Sequence, residues 1–297
     1  MKPSAHRIAP ISLALLFLVA ACSGGSGPSD GQIAHPPGDE LVLRVEHRGG
    51  MIAGGFFTTL PAFTLLGDGR VLLPGAQIEL FPGPALPSVQ VRQLTEAGLQ
   101  TVLNAVAASG QFAASAEWRG AQNFVADAAD TVFTLNADGR TVMVTIYGLG
   151  TLVAGEEPPN FPAAEKPVHQ ALGKLLERLS TLDTWLPVAA WATQQTWQPY
   201  MPDALRLLVR NADADTPDES GIVNQELPWP TGADAATFGE ATNFGEFRCG
   251  VVSDAAAWYE SLSNANQLTR FIAGDHRYEV TVRPLLPDEP ADCPSEA

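Results

Sequence analysis

The chain has 297 residues, with 33 acidic against 17 basic side chains and a formal charge of −16 at pH 7. That balance repels nucleic-acid phosphates and anionic headgroups, and it argues against a nucleic-acid partner or charge-driven attachment to a membrane surface. A hydrophobic content of 45% is enough to build the core of one large domain or two small ones.

Residues 1–21 have the three parts of an export signal. Lys2, His6 and Arg7 form a positive head, Ile11 to Val19 an apolar stretch broken only by Ser12, and Ala20 and Ala21 a small-residue end. The apolar run is much shorter than the ~20 residues a spanning helix needs. The tetrad Val19-Ala20-Ala21-Cys22 resembles the lipobox of bacterial lipoproteins. That resemblance implies that the Cys22 thiol receives a diacylglyceryl group and that Cys22 becomes the N-terminus. Its acyl chains (palmitate) would hold the protein at the membrane from outside the cytoplasm, each buried methylene contributing about 0.8 kcal/mol. An ordinary cleaved signal is the alternative. Ser23 does not resemble the aspartate signal for inner-membrane retention, so the outer membrane is expected where the organism has one. Loss of Lys2 and Arg7 leaves 15 basic against 33 acidic side chains, a net charge of −18.

With Cys22 acylated, Cys249 and Cys293 remain as a pair in an oxidising compartment, and a disulfide between them is expected over two free thiols. It would close 45 residues and constrain the unfolded chain by about 4 kcal/mol. There is no Cys-x-x-Cys spacing to support redox catalysis.

Residues 22–40, rich in Gly, Ser and Pro, read as a flexible tether. Residues 41–186 then read as a first α+β domain. It opens with a strand from Leu41 to Val45. Apolar runs flank Gly67-Asp68-Gly69-Arg70, and again Asn136-Ala137-Asp138-Gly139-Arg140, each predicting a β-hairpin. Between them Leu99, Val102, Leu103 and Val106 form a helical stripe, with Thr95 as N-cap and Gly110 as terminator. A second helix follows Pro167, with Val168, Leu172, Leu175, Leu176, Leu179 and Leu182 inward.

Residues 187–204 read as a Trp- and Pro-rich connection whose aromatics pack on a neighbouring surface, an exposed aromatic cleft being the alternative. Residues 205–297 read as a smaller α+β domain. It contains a strand at Leu205 to Arg210, irregular chain over 211–246, a helix capped by Ser253 running through Trp258, Leu262, Ala265 and Leu268, and a strand at Arg277 to Val282. The expected fold class is therefore α+β: two small units of mainly antiparallel sheet packed with helices. Aligning Val91–Phe112 with Val251–Phe271 suggests a diverged duplication.

The pattern Phe63-x-Leu65-x-Gly67-Asp68-Gly69-Arg70-Val71, then Leu94-Thr95, then Asp130-Thr131-x-Phe133-x-Leu135 with Asp138-Gly139, resembles a family of uncharacterised bacterial lipoproteins. It is similar also to a wider hairpin-helix-hairpin domain of unknown function. The tail Arg283-Pro284-Leu285-Leu286-Pro287-Asp288-Glu289 before Cys293 strengthens the first likeness. The resemblance implies an exported location and an α+β fold, and it carries no catalytic residues.

Catalytic signatures do not assemble. His35, His47, His169 and His276 form no zinc-type pair, and Ser-x-x-Lys and a phosphate loop are missing from the mature sequence. Asn211, Asp213, Asp215, Asp218 and Glu219 alternate oxygens as calcium requires. Yet Thr216 stands where the turn needs glycine, and Ile222 where a bidentate glutamate belongs, so Asp213, Asp215 and Asp218 make an incomplete metal candidate. The expectation is a non-catalytic binding or accessory module without cofactor, joined to the membrane by its N-terminal lipid and to an envelope protein or polymer. One alternative is a secreted hydrolase using Asp127 and Asp130, or Asp254 and Glu260, across a cleft. The other is a structural subunit of an envelope complex.

Overall fold

Side-chain alternation along the strands builds two sheets. The computed structural model describes residues 31–50, 55–76, 81–151, 160–192, 196–215, 224–230, 234–243, 245–253 and 255–294. Residues 1–21, where an export signal is expected, and Cys22, Asp218, Glu219 and Asp254 lie outside the described residues.

The first sheet comprises β1 (Leu41–Arg48), β2 (Phe63–Leu66), β3 (Arg70–Pro74), β4 (Val89–Gln93), β5 (Ala116–Trp118), β6 (Asp130–Ala137), β7 (Arg140–Tyr147) and β8 (Gln198–Pro199). Its spatial order is β5-β7-β6-β1-β2-β3-β4-β8. The second comprises β9 (Leu205–Asn211), β10 (Glu226–Pro228), β11 (Glu240–Ala241), β12 (Arg248–Val252), β13 (Arg270–Ala273) and β14 (His276–Pro284). Its order is β10-β13-β14-β9-β12-β11. The helices are α1 (Gly55–Thr58), α2 (Glu96–Ala108), α3 (Lys166–Ser180) and α4 (Ala256–Leu262).

Both Asp-Gly signals make hairpins. The β6–β7 turn pairs Ala137 with Arg140, and Asp138 and Gly139 both take positive φ (50° and 69°), the left-handed pair that a two-residue hairpin turn demands. Phe63, Leu65, Val71, Leu73, Phe133, Leu135, Val144 and Ile146 share one face and pack on the apolar stripes of α2 and α3. The α2 cap is as expected: Thr95 Oγ1 accepts the Gly98 N–H at 3.1 Å, and Gly110 leaves the helix at φ 72°.

The opposite face of this sheet buries Leu66, Leu72 and Val89 against Leu286, which follows β14. In the second sheet Leu205, Leu207 and Val209 pack with Trp258 and Leu262 of α4, while Leu208 turns the other way onto Phe57 of α1 and onto Cys249. Each sheet is thus covered on its second face by a segment from the other half of the chain, and Ile33–Ala297 forms one compact unit. Cys249 and Cys293 are bonded as a disulfide, their Cα atoms 6.0 Å apart, so the expected pairing holds. No helix among the described residues is long and apolar enough to cross a membrane.

The expected fold class is corrected. The protein is sheet-rich, with sheets of eight and six strands, rather than a balanced α+β pair of small units. Both sheets are mixed, because β5 pairs parallel with β7 and β10 parallel with β13. Strands of two or three residues such as β5, β8, β10 and β11 are too short to show alternation in sequence. The helix expected to reach Leu268 stops at Leu262, beyond which Ala265 and Gln267 bond instead to the 83–85 loop. The duplication also fails at the level of topology. The two sheets share a direction pattern, yet β6, the first hairpin strand, lies beside β1, whereas the second hairpin strand, β14, lies beside β9.

Candidate binding site at the N-terminal crossing

The composition of residues 22–40 predicts a chain that buries nothing, but from Ile33 onward this segment is docked. Ala34 and Asp138 exchange two bonds, the Ala34 N–H to Oδ1 at 3.0 Å and the Asp138 N–H to the Ala34 carbonyl at 2.8 Å. His35 bonds the Pro36 carbonyl through Nδ1 at 2.8 Å and reaches Glu96 through Nε2 at 3.2 Å. The Gly67 and Asp68 N–H groups donate to the carbonyls of Glu40 and Gly38. This approach demands glycine at 67, where a Cβ would lie 2.0 Å from the Pro36 oxygen.

The crossing forms one wall of an open groove of about 1040 Å³. Residues 34–41, the β6–β7 turn from Asn136 to Thr141, and Pro287-Asp288 line it. Its polar groups are pinned. Asn136 donates to the Leu41 carbonyl at 2.9 Å and accepts from Thr141 at 2.7 Å, Arg70 bridges Asp39 and Asp68, and Arg140 donates to the Ala113 carbonyl at 2.8 Å. At the far end Arg44 takes Asp288 in a bidentate pair at 2.8 Å, with Glu289 3.5 Å away. Glu289 in turn grips Arg283 through two bonds of 2.6 Å. Burial pushes the Asp288 carboxyl above its ordinary range despite Arg44. Burial acts the same way on Glu289, but bonds from Arg283 and the charges of Arg283 and Arg44 outweigh it and hold that carboxyl below its usual value.

A smaller, apolar pocket of about 240 Å³ adjoins the groove and shares Ala137 and Arg140 with it. Ile33, Leu103, Phe112, Leu135 and Val142 supply its walls. The arrangement offers a polar trough with a hydrophobic side chamber, which suits recognition.

The residues singled out from sequence lie elsewhere. Asp213 accepts the Arg277 N–H at 2.8 Å and bonds His276 at 2.6 Å and Asn211 at 3.1 Å, which together bring its carboxyl down to about 2. Asp215 pairs with Arg210 and Arg270. The two carboxylates therefore answer different neighbours. Among the described residues no three His, Cys, Asp or Glu side chains are grouped to hold a metal ion. Asp130 is held by Arg119 at 3.1–3.2 Å, and Asp127 sits in a left-handed turn at φ 55°. Trp191 is buried under the Arg92 guanidinium, 3.8 Å from its ring centre, with Trp197 edge-on at 5.7 Å.

Sequence reasoning passed over Arg44, Arg140 and Ile33. The one signal for Arg44 was a charge inside the apolar run Leu41-Val42-Leu43-Arg44-Val45, which calls for a buried acidic partner. No family model, no curated protein and no solved structure matches the chain.

Proposed function

We propose that this is a lipid-anchored extracytoplasmic protein, acylated at Cys22 and related to the bacterial lipoproteins it resembles, whose groove binds an envelope protein or polymer without carrying out chemistry. The head, apolar stretch and lipobox-like tetrad of residues 1–22 support the address. The Cys249–Cys293 disulfide supports it too, since such bonds persist in oxidising compartments. Ten residues lie between Cys22 and Ile33, a chain of eleven steps that can span at most about 36 Å.

The observation that carries the binding reading is preorganisation. The groove walls are fixed by bonds among themselves, so a ligand meets a formed surface and little ordering is lost on association. A photoreactive residue at exposed Thr141, in cells carrying the full chain, should crosslink one discrete envelope component, while the same residue at exposed Glu240 should not. Equal labelling from both positions, or none from Thr141, would overturn the binding reading. Mass spectrometry of the native N-terminus tests the address: an unmodified Cys22 would remove the anchor.

A further inference from the structure

We propose that the apolar pocket beside the groove holds the chain of a single-chain anionic amphiphile, a medium-chain carboxylate, with Arg140 pairing its head. The proposal rests on the groove reading and names a ligand class for its side chamber.

The pocket is preformed. Phe112 is fixed edge-on against Phe133 with ring centres 6.1 Å apart, and the Ile33 backbone exchanges two hydrogen bonds with the Gln100 amide. Leu103, Leu135 and Val142 complete an apolar lining on which an alkyl chain gains and a polar ligand does not. The volume of about 240 Å³ takes roughly eight methylene-sized groups, at about 30 Å³ each.

Charge sets the sign of the head group. Arg140 is exposed at the junction of pocket and groove and gives one of its five N–H donors to Ala113. Of the acidic side chains lining the two concavities, Asp39 answers Arg70 and Asp288 answers Arg44, while Asp138 keeps its charge but is turned to the crossing, where it accepts the Ala34 N–H. Glu40 lines the groove but not the pocket. The cation left at the pocket mouth is Arg140, and a planar carboxylate matches its fork.

Calorimetry on the full chain with hexanoate, heptanoate, octanoate, decanoate and neutral octanol tests this. Kd should fall about fourfold per added methylene and level off near eight carbons, where the pocket is filled. Arg140→Gln should weaken octanoate about tenfold and leave octanol unchanged. Ala107→Trp, at an exposed helix position on the pocket rim, should abolish binding of both with the circular dichroism spectrum intact, and Ala113→Trp serves the same purpose if that variant fails to fold. No saturable binding of octanoate, affinity rising without a plateau, or binding untouched by either tryptophan would overturn the proposal. Saturable binding to phosphatidylglycerol vesicles that Ala107→Trp removes would overturn the free-ligand assignment. Loss of octanoate binding with Thr141 crosslinking retained would sink the pocket ligand alone and leave the groove reading standing.

Discussion

Gln100 holds the main chain of Ile33 with both ends of its amide: Nε2 donates to the Ile33 carbonyl and Oε1 accepts the Ile33 N–H, each at 2.9 Å. A side chain from α2 thus supplies what a neighbouring strand would supply to the N-terminal crossing. Gln100 is 8% exposed, so its removal leaves polar groups in a place that water reaches poorly. Gln100→Ala should cost about 2–3 kcal/mol. Hydrogen exchange should show the Ile33 and Asp138 amides losing protection together, and protection unchanged at both would mean that the crossing is held elsewhere.

Arg44 joins the two halves through Asp288 and Glu289, with side chains 13%, 6% and 8% exposed. Arg44→Ala strands the Asp288 carboxylate and should cost about 3–5 kcal/mol in denaturant titrations. The double variant Arg44→Met with Asp288→Leu should recover most of it, because the desolvation cost leaves with the charges. A double variant as unstable as the single would show that packing, not charge, governs the site.

The same pair gives opposed pH dependences. Glu289 has a depressed folded value, so its contribution is present above its unfolded value and lost as pH falls through the folded one. Asp288 has a raised folded value, so folding loses stability as pH rises from the unfolded value to the folded one. Glu289→Gln should therefore flatten the acid-side loss, and Asp288→Asn should remove the loss on raising pH. Acid titrations followed by fluorescence separate the two, and identical profiles for both variants would refute this assignment.

His276 and Asp213 form an exposed pair 2.6 Å apart. The bond to Asp213 and its charge raise the imidazole above its ordinary value. Stability from the raised histidine is complete below its unfolded value near 6.5 and lost as pH rises through the folded one. That from Asp213 is lost as pH falls toward about 2. In NMR titrations Asp213→Asn should return His276 toward 6.5, and a histidine that titrates unchanged would break the pairing.

Cys293 ties the chain end to β12 through Cys249. Cys293→Ser should cost about 4 kcal/mol, the loop-closure entropy of the 45-residue ring. Reductant should destabilise the native protein by a similar amount and leave the variant unaffected.

Elements with a long repeat were legible in the sequence. The strands β1, β6, β7 and β14, of eight or nine residues, and the helices α2 and α3, of 13 and 15, carry enough period to be read locally. The short strands, the length of α4 and the walls of the groove were not, since each depends on a partner far along the chain. Gly98 shows why. Helix propensity alone favours alanine there, yet a Cβ would stand 2.1 Å from the Ala190 oxygen, a neighbour 92 positions away.

Local chemistry determined the hairpin turns at Asp68-Gly69 and Asp138-Gly139 and the caps of α2, because covalent spacing and backbone preference act within a few residues. Tertiary structure alone decided that each sheet is covered by a segment from the other half of the chain, that Ile33–Glu40 is wall rather than tether, and that Arg44 meets Asp288 from 244 residues away. The physical reason is that burial is a property of surfaces brought together, and a one-dimensional pattern states which side of an element is apolar without naming what will cover it.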